Sequence, residues 1–219
     1  MKRSFLLSTI FLAALIFASC GNQGSKNSSE TVDPNANTGN ATAPTESAVT
    51  TVKKYGIKSA IVTFESDGMG IKQKIVLYFD DFGAKETEEK YDLENNLSAS
   101  TICDGTNRYT LVYKDKTFQN DGACSRGIAY KFDWDEVSKA DPKYKPQKLA
   151  NITIAGKDCE SFSLETSGNT IIYAGWNNIC FLIDQNTQYG KITYKAISFD
   201  ENTVISSDKF KIPGDFQIK

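Results

Sequence analysis

Five cysteines, 27 acidic side chains and no histidine define the chemistry open to this 219-residue chain. Histidine is the side chain that most often serves as general base near neutral pH. Without it, a Ser-His-Asp or Cys-His site is excluded. Acid–base work would fall to carboxylate pairs, as in glycoside hydrolysis. Asp80, Asp81, Glu86, Glu88, Glu89 and Asp92 lie close together in sequence. Yet "KETEEKYDLE" interleaves Lys85 and Lys90 with the acids, the pattern of a solvated strand or sheet edge. No catalytic residue is assigned, and the chain is not expected to be an enzyme. Asp133, Asp135 and Glu136 lack the glycine and distal glutamate of a calcium loop. "SDGMGIK" lacks the Lys-Ser/Thr ending of a phosphate loop. Neither a metal nor a cofactor is expected. The formal charge of −2 and the absence of a basic block make nucleic acid an unexpected partner.

Of the cysteines, Cys20 has the most informative surroundings. Lys2 and Arg3 precede an apolar run over residues 5–17, followed by the small residues Ala18 and Ser19. These are the three parts of a secretory signal. The run is shorter than the roughly 20 residues of a membrane span. The stretch "LIFASC" resembles a bacterial lipoprotein signal, although Phe17 stands where the aliphatic residue is usual. That resemblance implies cleavage before Cys20, a diacylglyceryl thioether on its sulfur and an acylated (palmitate-type) N-terminus. Several acyl chains together give the stable anchoring that one chain does not. The membrane is thus an expected partner through this anchor.

Residues 21–51 contain no aromatic residue, Leu, Ile or Met. Such a segment cannot offset the entropy of ordering it. It reads as a disordered tether, spanning roughly 30 Å as a coil. The expected division is signal peptide 1–19, acylated cysteine and tether 20–51, and one β-rich domain 52–219. Removing Lys2 and Arg3 with the signal takes the net charge from −2 to −4.

Four further cysteines, Cys103, Cys124, Cys159 and Cys180, form an even set in an exported chain and read as disulfides. Three pairings are possible. Cys103–Cys124 and Cys159–Cys180 are favoured because each would close a short loop around one hairpin. Wide spacing, no CxxC and no histidine argue against zinc.

The elements that must position these residues are strands. "YGIKSAIVTFE" and "GIKQKIVLYF" flank a turn with Asp67-Gly68 and Gly70. Alternation places Ile71, Ile75, Leu77 and Phe79 on one face, with Lys72, Lys74 and Tyr78 on the other. "LSASTIC", "RYTLVY", "NITIAG", "ESFSLET", "NTIIYAGW", "ICFLID", "KITYKAISF" and "DKFKIP" continue the series. Many short strands separated by turn signals predict an antiparallel barrel, half-barrel or sandwich. One short helix is predicted over residues 133–140, with Asp133 as cap, Glu136 completing a capping box and Pro142 beyond it.

The stretches "YGIKSAIVTFESDGMGIKQKIVLYFDDFGAKE", "IAGKDCESFSLE" and "FKIPGDFQI" resemble an uncharacterised family of Bacteroidetes lipoproteins. That family is similar to the Lol-type periplasmic lipoprotein carriers. The resemblance implies a curved antiparallel sheet, an unclosed half-barrel, with an apolar concave face; a β-sandwich is the alternative. It implies a non-catalytic protein that binds a lipid or other apolar ligand. Candidate lining residues are Ile71, Ile75, Leu77, Phe79, Tyr173, Trp176 and Phe181. Register decides whether Tyr173 or Trp176 faces inward. The alternative is an envelope lipoprotein with a protein partner and no small ligand. A lipid binder should leave the inward positions facing a cleft, whereas an interaction module should bury them. Gly21 after the cysteine points to the outer membrane, with the domain facing the periplasm.

Overall fold

A computed structural model describes residues 53–68, 70–124, 132, 135, 142–166, 168–187 and 190–219. All belong to the unit Ala48–Lys219. Residues 1–19, read as a signal, together with Cys20 and residues 21–51, lie outside the described residues, as does almost all of the helix predicted over 133–140.

Twelve strands form one sheet. They are β1 Ala60–Gly68, β2 Ile71–Asp80, β3 Lys85–Tyr91, β4 Leu97–Cys103, β5 Asn107–Val112 and β6 Thr117–Ala123, then β7 Gln147–Ile154, β8 Lys157–Thr166, β9 Asn169–Trp176, β10 Ile179–Thr187, β11 Gly190–Glu201 and β12 Gln217–Ile218. Their order is β12-β6-β5-β4-β3-β2-β1-β11-β10-β9-β8-β7. All neighbours pair antiparallel except β12, which lies parallel to β6. A single continuous sheet displaces the sandwich alternative.

Several boundaries correct the sequence reading. β1 begins at Ala60 rather than Tyr55. "DKFKIP" is not a strand: Ser207–Phe210 forms a 3-10 turn capped by the Ser206 hydroxyl. "TFQNDGA" is a strand despite its polar, low-propensity composition, because β5 supplies a full ladder beside it. The "KETEEKY" segment is no edge. It is β3, interior to the sheet between β2 and β4.

The sheet is rolled. The β2–β3 turn and the β9–β10 turn are separated in the sheet by β2, β1, β11 and β10, about 19 Å measured along it. Nevertheless the adjacent amides of Tyr55 and Gly56 donate to Phe82 O at 3.0 Å and Asn177 O at 2.8 Å. Neighbouring residues advance the chain by only about 3.8 Å. The two turns therefore meet across one face, which is the inner face of an unclosed half-barrel. Residues 53–59 form a crossbar between them, and Lys58 O also accepts from Phe82 N at 2.9 Å.

Candidate functional site: the inner face

The inner face is built by strand alternation. Val62 and Phe64 of β1 lie opposite Leu77 and Ile75 of β2, and Ala60 lies opposite Phe79. Together with Ala174, Ile179, Phe181 and Ala196 they form one buried cluster. Phe64 stacks on Tyr194 with centroids 4.4 Å apart. Phe181 packs on Phe199 at 5.1 Å. Trp176 meets the edge of Phe199 at 5.6 Å, and the Lys157 ammonium lies 4.4 Å over its ring.

The candidate ligand residues therefore separate. Leu77, Phe79 and Phe181 have no exposed surface, and Ile75 keeps 6%. Trp176 packs against the same cluster. Tyr173 points to the other face, stacked 5.2 Å from Phe162 in a smaller cluster with Phe132 and Cys180. Ile71 stands half exposed at the far end of β2. The structure does not gather all seven into one cleft. A bulge between Cys180 and Leu182 shifts the β9–β10 register, so Phe181 and Leu182 both join the inner cluster.

Sequence reasoning missed the polar stripe beside this apolar floor. Glu86 lies opposite Phe79 and Glu88 opposite Leu77. Glu86 is fully buried, and Glu88 and Glu89 nearly so. The Lys54 ammonium donates to both Glu86 oxygens, at 2.7 and 2.9 Å, and the Tyr55 hydroxyl donates to one of them at 2.5 Å. Burial lowers the Lys54 ammonium below its ordinary range, against the pull of Glu86. Burial, and then the Glu86 charge, push the Tyr55 phenol well above its ordinary range. Glu88 pairs with Lys90 at 2.9 Å. On the outer face Glu89 accepts from Lys209 at 2.5 Å and from the Tyr91 hydroxyl at 2.8 Å. The Lys209 ammonium also sits 4.3 Å over the Tyr78 ring. Three acids in four residues are buried because each finds a donor close by in space. The only sequence signal was their density.

Tyr55 fills the end of the inner face. It has no exposed surface, and its ring lies 4.4 Å from Phe79. Gly83 has φ +89°, and a Cβ there would sit 2.7 Å from the Tyr55 ring. Position 83 thus needs glycine twice over: for the left-handed backbone and for the approach of the ring.

The cysteines divide in two. Cys103 and Cys124 form a disulfide, with Cα atoms 5.6 Å apart, stapling the end of β4 to the chain just past β6. Cys159 and Cys180 are both free and buried, which corrects the expected second bridge. The reason is topological. β9 separates their strands, and Cys159 joins the inner cluster while Cys180 joins the outer one. Burial pushes the Cys159 thiol to about 11 and the Cys180 thiol to about 12.

A surface cleft of about 440 Å³ lies among Asp135, Asp158, Glu160, Trp176 and Asn177. Among the described residues no trio of Cys, Asp or Glu could hold a metal ion.

No protein-family model matches the sequence, and no curated protein matches it. Solved structures do. An uncharacterised conserved protein from Thermus thermophilus superposes with TM-score 0.52 at 8% identity, over 74% of this chain and 90% of that one. MucB gives TM-score 0.47 at 10% identity, over 74% of this chain and 60% of MucB. A LolA superfamily protein from Nitrosomonas europaea gives 0.32 at 8% identity, over 73% and 93%. At such identities the first likeness is one of fold alone, and the two weaker ones add nothing to it. The chain adopts an unclosed, curved half-barrel built from one twelve-stranded sheet.

Proposed function

We propose that this protein is a lipid-anchored envelope lipoprotein that acts without catalysis, by binding a protein partner. The observation that carries this reading is the filled inner face. Ligand sites are concave and open enough to bury most of a ligand, whereas Leu77, Phe79 and Phe181 are already covered by the protein's own side chains. A lipid carrier with a standing apolar cavity is the weaker reading for that reason. The anchor belongs to the same proposal: Cys20 carries the acyl chains, the tether spans from the outer membrane, and the domain faces the periplasm.

Mass spectrometry, lipid-binding assays and cross-linking test it. Mass spectrometry of the mature N-terminus should find a triacylated Cys20; an unmodified cysteine removes the anchor. The mature protein should be purified from cells, extracted for lipids beyond its own anchor and titrated with a fluorescent fatty acid. No bound lipid and no saturable titration are expected. In intact cells, cross-linking should give one partner in fixed ratio. Stoichiometric lipid with no such partner would reverse the reading.

A further inference from the structure

The crossbar is attached in an unusual way. It contributes no strand to the sheet, yet it joins two turns far apart along it. Its backbone bonds are Lys54 N and Tyr55 N to Phe82 O, Gly56 N to Asn177 O, Phe82 N to Lys58 O and, at its end, Asn202 N to Ser59 O. The Ser59 hydroxyl donates to Thr203 O at 3.0 Å and the Lys53 ammonium sits 3.8 Å over the Phe82 ring, while Lys54 and Tyr55 share one carboxylate. Glu86 receives both the Lys54 ammonium and the Tyr55 phenol. The Tyr55 ring then occupies a slot walled by Phe79 and Gly83. The slot is shaped for a ring, and its polar end is shaped for proton donors. Elements held by few contacts open at lower free energy than the strands around them.

We propose that residues 53–59 are a latch. Docked on Glu86, they hold the two turns together and close this end of the inner face. Released, they open it to an apolar group that carries a hydrogen-bond donor for Glu86. Tyr55 is then an internal occupant of a site that another molecule can take over. The inference goes beyond the partner reading and does not depend on it, since the latch is read out within the chain itself.

The two buried free thiols make the test internal. Cys159 packs in the inner cluster with Tyr55, and Cys180 packs in the outer one. In the full chain carrying Cys20→Ser, these are the only free thiols expected. Glu86→Gln should accelerate labelling of Cys159 by a thiol reagent about tenfold and leave Cys180 unchanged, with the amides of Tyr55, Gly56 and Phe82 exchanging faster together. Lys54→Met is the second variant if Glu86→Gln does not fold, and it should act in the same direction. Equal acceleration of both thiols would mean general destabilisation and overturn the latch. So would faster crossbar exchange with Cys159 unchanged. The slot is tested with Tyr55→Ala and two probes: p-cresol, which is the detached side chain, and decanol, an alkyl chain with the same donor. Saturable protection of Cys159 supports the site. The better protector assigns an aromatic or an acyl occupant. Protection by neither overturns the slot as a ligand site.

Discussion

β2 and β3 are hydrogen-bonded neighbours, yet they treat the inner face in opposite ways. β2 presents Ile75, Leu77 and Phe79 to a packed apolar cluster. Directly across, β3 presents Glu86 and Glu88. The apolar side is stabilised by removal from water, about 25 cal/mol per Å². The ionic side is stabilised only while each charge keeps its partner, because desolvation of a buried pair can exceed its attraction. The two sides differ again in their cysteines: the disulfide Cys103–Cys124 lies on the β4–β6 side, and the free thiols lie on the β8–β10 side. A fold can therefore bury neighbouring strands by two different means, and the two fail differently.

The largest effect should come from placing the chemistry of β3 on β2. Leu77→Asp sets an unpaired charge in a site with no exposed surface. Loss of the cooperative thermal transition is expected, a destabilisation above about 4 kcal/mol. A transition near the parent temperature would show that the apolar floor is not the core.

The reverse exchange sharpens the contrast. Glu86→Leu alone leaves the Lys54 ammonium buried without its main partner, and should cost about 3–5 kcal/mol in denaturant unfolding. Adding Lys54→Met should recover most of that loss, because neither charge then needs desolvation. A double variant as unstable as the single one would mean that Glu86 acts through Tyr55 rather than through Lys54.

Replacing Cys103 and Cys124 by alanine should cost about 3 kcal/mol in the chain-entropy model for a loop of this length. Non-reducing peptide mapping should find that bridge alone, with Cys159 and Cys180 as free thiols.

The least abrupt effect is a gradual one with pH. Both free thiols are raised from 9.0 in the folded chain, to about 11 and about 12. The folded state holds these protons where the unfolded state releases them. Stability is therefore full below pH 9 and falls as pH rises through each thiol's range. The fall continues until each folded value is reached. Tyr55 adds to the loss above its ordinary value of 10.0, because its phenol is raised too. Cys159→Ala with Cys180→Ala should flatten the curve between pH 9 and 10; an unchanged slope would trace the loss to other groups.

The sequence by itself determined the class of fold and much of its local order. Period-two alternation and turn pairs mark most strands, and they place Ile75, Leu77 and Phe79 on one face, because a strand sets its own alternation. The Cys103–Cys124 bridge was legible for the same reason: it spans one local hairpin unit. The tertiary structure decided what local pattern could not carry. Glu86 is buried because Lys54, 32 residues earlier, reaches it. Glu89 is buried because Lys209, 120 residues later, does. No window around "KETEEKY" contains those partners, so the strand reads as solvated. Cys159 and Cys180 looked like a hairpin pair, but the intervening strand and the alternation of faces keep them apart. Tyr55 read as the start of a strand and became the plug of the half-barrel, because only the rolling of the sheet brings the two turns together for residues 53–59 to bridge.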